Sequence, residues 1–376
     1  MDSQPTPLIK RIDWATALFL VGTPLAAAIL TPLHIYFFGL DWRVLFFFAF
    51  YCVVTSVSIT AGYHRLLAHK SYEANPLVRL IFLLFGAAAF QGPAIQWCSD
   101  HRRHHRFVDT DGDPYNIKRG FFFAHIGWLF LKDTARYREP LAPDLLGDPL
   151  IKWQHRYYVP VSLVMGFGFP WLMGLCLGSP MGGLIFGGIL RAVFTQHCTF
   201  LINSLSHTLG RQPYSDTNSA RDNIFMAFFS YGEGYHNFHH RFQTDYRNGS
   251  RWYHWDPTKW TIRLLWLLGA ARRLRVVSSW EILRAKLQMD SQRLLQRGFP
   301  EERISSLRHR IEETQDRVRK LKEDYRTLKQ NVKIVSRRHF LGLKADLKAA
   351  RLEFKTACAQ WSLYKKYFDA IPRAAF

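Results

Sequence analysis

Four long apolar runs constrain this chain more than any other feature. They cover residues 14–38, 42–62, 157–178 and 182–203 and contain few charged side chains. A helix of about 20 apolar residues is long enough to cross the roughly 30 Å hydrocarbon core of a bilayer. The sequence therefore predicts an all-α integral membrane fold with four transmembrane helices, embedded in membrane lipid.

The distribution of basic residues predicts how these spans are oriented. The loops at residues 39–41 and 179–181 are short and carry little basic charge, whereas residues 63–156 and everything after residue 203 are rich in Lys and Arg. Cytoplasmic loops of membrane proteins are enriched in these residues, so we expect both termini on the cytoplasmic side. The same rule explains the excess of 50 Lys and Arg over 29 Asp and Glu. No nucleic-acid-binding motif accompanies that charge, and we expect no nucleic-acid partner.

Histidines carry the strongest functional signal. They occur as H-R-L-L-A-H, H-R-R-H-H, N-S-L-S-H and H-N-F-H-H, and the members of these clusters are His64, His69, His101, His104, His105, His207, His236, His239 and His240. Residues three or four apart share one face of a helix, so two of the clusters each offer paired imidazoles to one point. The interval of five between His64 and His69 does not, and we expect these two to ligate different ions.

The ligand type and number indicate which metal is bound. Neutral imidazole suits zinc, copper, iron and nickel, and nine ligands exceed what one ion takes, so two ions are implied. Structural zinc sites are usually tetrahedral and rich in thiols, yet the five cysteines lie outside the histidine clusters. A redox pair that handles dioxygen fits better, and we predict two irons.

A fifth apolar stretch, residues 77–97, is long enough to count as a span by hydropathy. If it crossed the bilayer, the histidine clusters before and after it would lie on opposite sides and would not share a metal site. We therefore interpret it as a helix lying in or dipping into the cytoplasmic interface.

The C-terminal region has a different pattern. Beyond about residue 280 the chain is highly charged. Residues spaced as a heptad seam begin at Ile304 and recur at Leu307, Ile311, Thr314, Val318, Leu321, Tyr325, Leu328, Val332 and Val335. This predicts a helical, coiled-coil extension over residues 281–376, after a membrane domain over residues 1–280. A helix through Leu343, Leu347 and Phe354 either folds back on the seam as a hairpin, or two chains self-associate through it.

Several motifs together resemble the signature set of the membrane acyl-CoA Δ9 desaturases, the stearoyl-CoA desaturase family. They are G-Y-H-R-L-L-A-H-K-S-Y at residues 62–72, W-C-S-D-H-R-R-H-H at 97–105, D-P-Y-N-I-K-R-G-F-F-F-A-H-I-G-W at 113–128, N-S-L-S-H at 203–207 and G-E-G-Y-H-N-F-H-H at 232–240. The resemblance extends over roughly residues 14–285.

The resemblance implies a fold, a cofactor and an activity. It implies four transmembrane helices under a cytoplasmic helical cap that holds two irons, with the nine histidines as ligands and Asn203 holding a metal-bound water. It implies O2-dependent insertion of a double bond into a saturated fatty acyl chain, most simply acyl-CoA at the Δ9 position. The heme-ligand motif H-P-G-G of cytochrome b5 domains is absent. We therefore expect electrons from a separate donor protein such as cytochrome b5 or a ferredoxin.

The resemblance also implies substrate contacts. Gln91, Trp97 and Thr199 match residues that kink the acyl chain beside the irons. Cys52 and Ser56 lie one helical turn apart on the second span, where the closed end of the substrate tunnel is expected. Stearoyl-type members have a large aromatic at the position of Cys52, so we expect this chain to accept acyl chains of stearoyl length or longer.

One pair of basic residues indicates what carries the acyl chain. Lys118 and Arg119 match residues that meet coenzyme A phosphates in the family, which favours acyl-CoA over an acyl-lipid carrier. A different reaction of the same class, hydroxylation, is an alternative, because related histidine-box proteins insert oxygen into alkanes or sterols. A third interpretation is a non-enzymatic, metal-binding membrane scaffold assembled through the coiled coil.

Overall fold

The structure is a computed structural model that describes residues 11–132, 142–330 and 337–369. Within it the chain divides into two compact units, Met1–Ser279 and Trp280–Phe376. The first unit contains the apolar runs and the histidine clusters. The second consists of long charged helices. Each unit is described by itself.

The first unit is helical apart from two short strands. Its α-helices are α1 (Trp14–Phe38), α2 (Trp42–Val57), α3 (Pro76–Ala87), α4 (Ala94–Phe107), α5 (Phe121–His125), α6 (Pro149–Arg156), α7 (Tyr158–Leu163), α8 (Phe169–Cys176), α9 (Pro180–Gly182), α10 (Arg191–Ser204), α11 (Ile224–Phe229), α12 (His236–Arg241) and α13 (Pro257–Leu267). Three π-helical segments, Ser58–Ala68, Val164–Gly168 and Gly183–Leu190, continue or join these helices, and short 3-10 turns lie at Ile117–Arg119, Gly127–Phe130 and Leu205–His207. Strands β1 (Glu73–Ala74) and β2 (Ala271–Arg272) pair antiparallel.

The predicted all-α fold with four spans is confirmed. Within the described residues, four helical stretches are long and apolar enough to cross a membrane, and they are Trp14–Phe38, Trp42–Ala68, Tyr158–Cys176 and Pro180–His207. Local chemistry fixes where they begin and end. Asp13 caps α1 by accepting a hydrogen bond from the backbone N–H of Thr16, and Gly39, with φ of +73°, ends it. Asp41 caps α2 in the same way through the N–H of Arg43.

The last two spans pack closely because glycines face each other. A Cβ built on Gly183 would lie only 2.5 Å from the Cα of Gly174 and 2.3 Å from the carbonyl oxygen of Pro170. Any larger side chain would therefore force the helices apart. Small residues at such positions let transmembrane helices approach closely, and close packing is a main source of their association in lipid.

Within the described part of the chain, a buried arginine joins the spans without a carboxylate partner. Arg191 in the fourth span is fully buried, and its guanidinium donates to the backbone carbonyls of Gly187, Ala88 and Gly166. It also lies 5.0 Å from the ring of Tyr51. Three segments of chain therefore meet at one cation, which satisfies its donors by backbone oxygens.

The fifth apolar stretch, predicted as one interfacial helix over residues 77–97, is instead two helices. α3 ends at Ala87, and the chain turns through Phe90 and Gly92, both with positive φ, before α4 begins after Pro93. The helix α3 is too short to count among the four spans. The break has a physical reason, since Gly and Pro side by side interrupt a helix.

The second unit is a helical bundle. Its helices are α14 (Ser279–Gln296), α15 (Glu301–Gln330) and α16 (Arg337–Asp369). Its buried core consists of Leu287, Leu294, Ile304, Ile311, Ala357 and Trp361. Arg317 of α15 pairs with Glu353 of α16 at 2.9 Å, and Arg310 donates to Gln360, so the two long helices run antiparallel.

These contacts bear on whether the C-terminal seam packs within one chain as a hairpin or between two chains. Ile304 and Ile311 are buried within the same chain, which is the hairpin arrangement. A supercoiled seam is still a prediction. Two of its predicted positions, Val332 and Val335, lie outside the described residues.

Candidate metal centre

Nine histidines converge at the ends of the second and fourth spans. They form a five-histidine group of His64, His69, His101, His105 and His239, and a four-histidine group of His104, His207, His236 and His240. Within each group the nitrogens lie within 4.8 Å of one another. The structure thus brings together every histidine of the predicted ligand set.

The expectation that His64 and His69 serve different ions is wrong, because both lie in the five-histidine group. The physical reason is the π-helical segment Ser58–Ala68. There the backbone bonds run from residue i to i+5, and the N–H of His69 donates to the carbonyl of His64 at 3.0 Å. Residues five apart therefore lie on the same face of the helix. The centroids of the two imidazole rings are 4.8 Å apart, with the rings nearly perpendicular.

Hydrogen bonds fix the tautomer of three imidazoles. His64 Nδ1 lies 2.9 Å from Glu233 Oε2, and His104 Nδ1 lies 2.9 Å from Asp113 Oδ1. An ionised carboxylate only accepts hydrogen bonds, so each Nδ1 carries the proton. In the neutral form of each ring the lone pair is then on Nε2, and both Nε2 atoms face other imidazoles of their groups, His239 and His240.

The third tautomer follows from a serine. His207 Nδ1 lies 2.7 Å from Ser219 Oγ, and that hydroxyl donates its hydrogen to Asp109 Oδ1. The serine oxygen must therefore accept from the Nδ1–H of His207. This leaves His207 Nε2 as a bare lone pair, 3.0 Å from His236 Nε2.

Burial keeps the other imidazoles neutral. It lowers the pKa of His69, His101, His105, His239 and His240 well below the ordinary value of 6.5, and neighbouring imidazoles lower it further. Burial likewise lowers the pKa of His236 to about 3. Neutral imidazole is the form that binds a metal ion.

The donor set therefore fits a pair of metal ions. Imidazole nitrogens approach one another at 2.8 Å between His69 and His101 and at 3.0 Å between His64 and His239. Nitrogens this close can each give a lone pair to one shared cation. A group of five histidines and a separate group of four match two metal ions better than one.

An apolar cavity of about 520 Å³ opens onto both metal groups. Four of the clustered histidines form part of its wall, namely His64, His101, His104 and His236. All four spans contribute to the rest, through residues that include Phe19, Ile59, Val159, Leu163 and Phe200. Its volume lies within the roughly 300–1,000 Å³ typical of small-molecule sites. The volume and the apolar lining suit an apolar ligand that lies beside the histidines.

The predicted kink residues lie together in this cavity as a polar trio. Trp97 Nε1 donates to Gln91 Oε1 at 3.1 Å, and Gln91 Nε2 donates to Thr199 Oγ1 at 2.9 Å. Trp97 also stacks on His101, with 5.1 Å between ring centroids. The trio thus connects α4 to the fourth span across the cavity wall, next to the five-histidine group.

The other predicted site residues have different positions. Asn203 lines the same cavity. Cys52 and Ser56 are not among the described residues that line it, although Ile59 and Thr60, one helical turn further along, are. Cys52 is buried, and the hydroxyl of Ser56 is hydrogen-bonded to Tyr231.

The basic pair lies on the surface. Lys118 and Arg119 are exposed on a 3-10 turn that precedes α5. The guanidinium of Arg119 stacks over the ring of Phe123 at 3.6 Å.

A buried charge network behind His64 was not predicted from the sequence. Arg65 is fully buried and donates to Glu233 at 2.8 Å and to Asp256 at 3.1 Å. Burial raises the pKa of Glu233, but His64 and Arg65 outweigh this and lower it to about 2. Glu233 lies within the motif G-E-G-Y-H, and Asp113 begins D-P-Y-N, so a search for acids beside the histidine clusters would have found both.

Fold and site together define an integral membrane protein in which two groups of histidines, each able to hold a metal ion, border an apolar cavity. A family model described as Fatty acid desaturase matches residues 40–272. The chain belongs to this family.

Individual relatives agree. The chain is 41% identical over 293 residues to the "Probable acyl-CoA desaturase" of Schizosaccharomyces pombe, covering 77% of this chain and 60% of that protein. It is 40% identical to "Acyl-CoA desaturase 1" of Saccharomyces cerevisiae, covering 76% and 56%. It is 36% identical to "Delta(9)-fatty-acid desaturase fat-6" of Caenorhabditis elegans, covering 68% and 77%. The chain thus spans less than two thirds of the length of the two yeast proteins.

Proposed function

We propose that this protein inserts a double bond into a saturated fatty acyl chain, carried as acyl-CoA, at the Δ9 position. The observation that carries this proposal is the convergence of nine imidazoles beside an apolar cavity. The relatives named as acyl-CoA and Δ9 desaturases support the substrate class and the position of the bond.

The cofactor is proposed to be two irons, held by the five- and four-histidine groups, with Asn203 placed to hold a metal-bound water. A C–H bond of an unactivated methylene has no useful acidity, so side-chain acids and bases cannot remove its hydrogens. When bound, the irons supply the oxidising power of dioxygen that removes one hydrogen from each of two adjacent carbons.

The residues of the chain provide position and exclusion of water. The polar trio holds a bend in the acyl chain beside His101, and the spans surround the remainder with apolar side chains. Holding the reacting carbons in one place makes the hydrogen removal selective. Cys52 and Ser56 are proposed to form the closed end of the tunnel, because Ile59 and Thr60 on the same helix line the cavity.

The acyl carrier is proposed to contact Lys118 and Arg119, because both are exposed and basic side chains pair with phosphate groups. Replacing both with alanine should raise the KM for acyl-CoA and leave kcat nearly unchanged. Lys152, also exposed, provides a matched control in which the KM should not change. An unchanged KM in the double variant would assign these charges to the membrane surface instead.

Electrons are proposed to come from a separate acidic protein such as cytochrome b5 or a ferredoxin. A second cavity reaches the edges of His69 and His105 and is bordered by Arg102 and Arg106. Opposite charge speeds the encounter of redox partners, and salt screens the attraction. Reduction should therefore slow as ionic strength rises. A rate that does not depend on salt would contradict this docking face.

The topology is proposed to place both termini and the metal groups on the cytoplasmic side. The basic residues that flank the spans support this orientation. A single cysteine introduced at Ser179, between the last two spans, should react only with reagents added from the opposite side of the membrane. Labelling from the cytoplasm would reverse the assignment.

The central test is expression of the chain in a host that lacks its own desaturase. Fatty acids with a new double bond should accumulate, and His104→Ala and His239→Ala should abolish them. Hydroxylation is distinguished by mass, because a desaturated product loses two hydrogens whereas a hydroxylated one gains an oxygen. A scaffold would give neither product.

A further inference from the structure

Two buried carboxylates lie directly behind the metal groups, and neither belongs to the predicted ligand set. Glu233 contacts His64 in the five-histidine group, and Asp113 contacts His104 in the four-histidine group. Both acids are buried, with relative exposures of 3% and 4%. Each group therefore has a direct carboxylate–histidine pair. We propose that Glu233 and Asp113 are positioning residues, one for each metal ion, an inference that rests on the proposed di-iron function.

The physical role follows from the hydrogen bond. A carboxylate that accepts from Nδ1–H holds the ring in one orientation and keeps Nε2 unprotonated toward the metal. It also makes Nε2 more basic, so that this nitrogen binds the metal more tightly. Loss of such a carboxylate typically lowers metal affinity by about 10- to 100-fold. Glu233 also lines the cavity, but both of its carboxylate oxygens are bonded to His64, Arg65 and Asn248. We therefore assign both acids an effect that is exerted through the imidazoles.

The surroundings of the two acids differ. Glu233 shares its charge with Arg65 and also accepts from Asn248 Nδ2 at 2.6 Å. Within the described residues, the other hydrogen-bond donors to Asp113 are the backbone amides of Asp109 and Tyr115, which are neutral. Glu233 thus has a guanidinium bonded to it and Asp113 has backbone amides, so the two proposed metal ions have unequal electrostatic environments.

One aromatic side chain connects the two groups. Tyr115 stacks on His104 with 4.5 Å between ring centroids, and its hydroxyl lies 3.4 Å from His101 Nδ1. The loop that carries Asp113 thus contacts both groups, but its carboxylate contacts only the four-histidine group. Removing the Asp113 charge should perturb that group first.

The test uses the full-length protein in detergent, loaded with iron enriched in the Mössbauer-active isotope. Asp113→Asn and Glu233→Gln keep the size of each side chain and remove the charge. Asp111→Asn, an exposed acid two residues from Asp113, is the matched control. Iron per chain is measured during competition with a chelator, Mössbauer spectra are recorded on the same samples, and thermal unfolding of the metal-free proteins reports on folding.

Each variant should release one of its two irons at about 10- to 100-fold lower chelator concentration than wild type. Asp113→Asn should alter one Mössbauer component and Glu233→Gln the other, while the control matches wild type. Joint release of both irons, changes in the same component, or release identical to the control would overturn the assignment.

Two measurements separate this proposal from its premise. Wild-type protein that binds no iron and makes no unsaturated product overturns the proposed function, and the positioning roles with it. Wild-type protein with two irons and full activity, but variants that retain iron like the control, overturns the positioning roles alone. If Glu233→Gln fails to fold because Arg65 loses a partner, Asp113→Asn decides the question, since Asp113 contacts no part of that ion network.

Discussion

Replacing Gln91 with leucine tests the polar trio, because this side chain holds both other members. It accepts from Trp97 Nε1 and donates to Thr199 Oγ1. Leucine has a similar size but no polar atoms, so both hydrogen bonds are lost. The indole N–H and the threonine oxygen would then face the apolar cavity without that partner.

The magnitude follows from the two bonds. Each hydrogen bond contributes about 0.5–1.5 kcal/mol of net stabilisation, so losing both removes about 1–3 kcal/mol of the free energy that holds the trio together. If all of this is lost from the positioning of the acyl chain, the rate of desaturation falls about 5- to 150-fold, since about 1.4 kcal/mol corresponds to a factor of ten. A looser bend should also yield products with the double bond at neighbouring positions.

The assay is the fatty acid profile of a desaturase-deficient host, normalised to the amount of folded protein, with double-bond positions located by mass spectrometry. Thr199→Val removes only one bond and should give a smaller loss. Thr199→Ser keeps the hydroxyl and should behave like wild type. A Gln91→Leu enzyme with wild-type rate and one positional isomer would refute the role of the trio.

Four further changes have defined outcomes. Cys52→Trp should fill the closed end of the tunnel and weaken the binding of long acyl chains by about 1–3 kcal/mol. The fatty acid products should therefore shift to shorter acyl groups, and an unchanged product profile would place the closed end elsewhere. Arg65→Met leaves two buried carboxylates without their cation and should lower stability by about 3–5 kcal/mol in denaturant unfolding; a loss below about 1 kcal/mol would show that the network is not buried as described. Trp361→Ala should destabilise the C-terminal unit by about 3–5 kcal/mol, seen as faster proteolysis of that unit with desaturation retained. Burial raises the pKa of Asp144, but two basic partners lower it to about 2 from an ordinary 3.8, so its stabilising effect is present above pH 3.8 and lost as the pH falls toward 2; the difference in unfolding midpoint between wild type and Asp144→Asn should shrink across that window.

Much of the fold is visible in the sequence because hydropathy is a local property. The first span begins at Trp14 and ends at Phe38 as predicted, since its caps are adjacent residues. The break after Ala87 was harder to predict, because an unbroken apolar run conceals a turn whose only signals are Gly92 and Pro93. The sequence left open whether the C-terminal helices form a hairpin within one chain or associate between two chains. A heptad pattern shows that one face of a helix is buried, but it does not show which helix covers that face.

The site was predictable in its members but not in its grouping. Spacing identified the nine histidines, yet it assigned His64 and His69 to different ions, because π-helical turns have no clear sequence pattern. The positions of the acids are tertiary properties. Arg65 and Glu233 are 168 residues apart in sequence, so their ion pair depends on how distant segments pack and not on any local motif.

The second span runs without a break from Trp42 into the π-helical turn that carries His64, and the fourth span leads directly to His207. His64 and His207 are thus attached by continuous helix to the apolar spans. In the proposed reaction, the length of these two helices therefore sets how deep in the membrane an acyl chain meets the histidine groups.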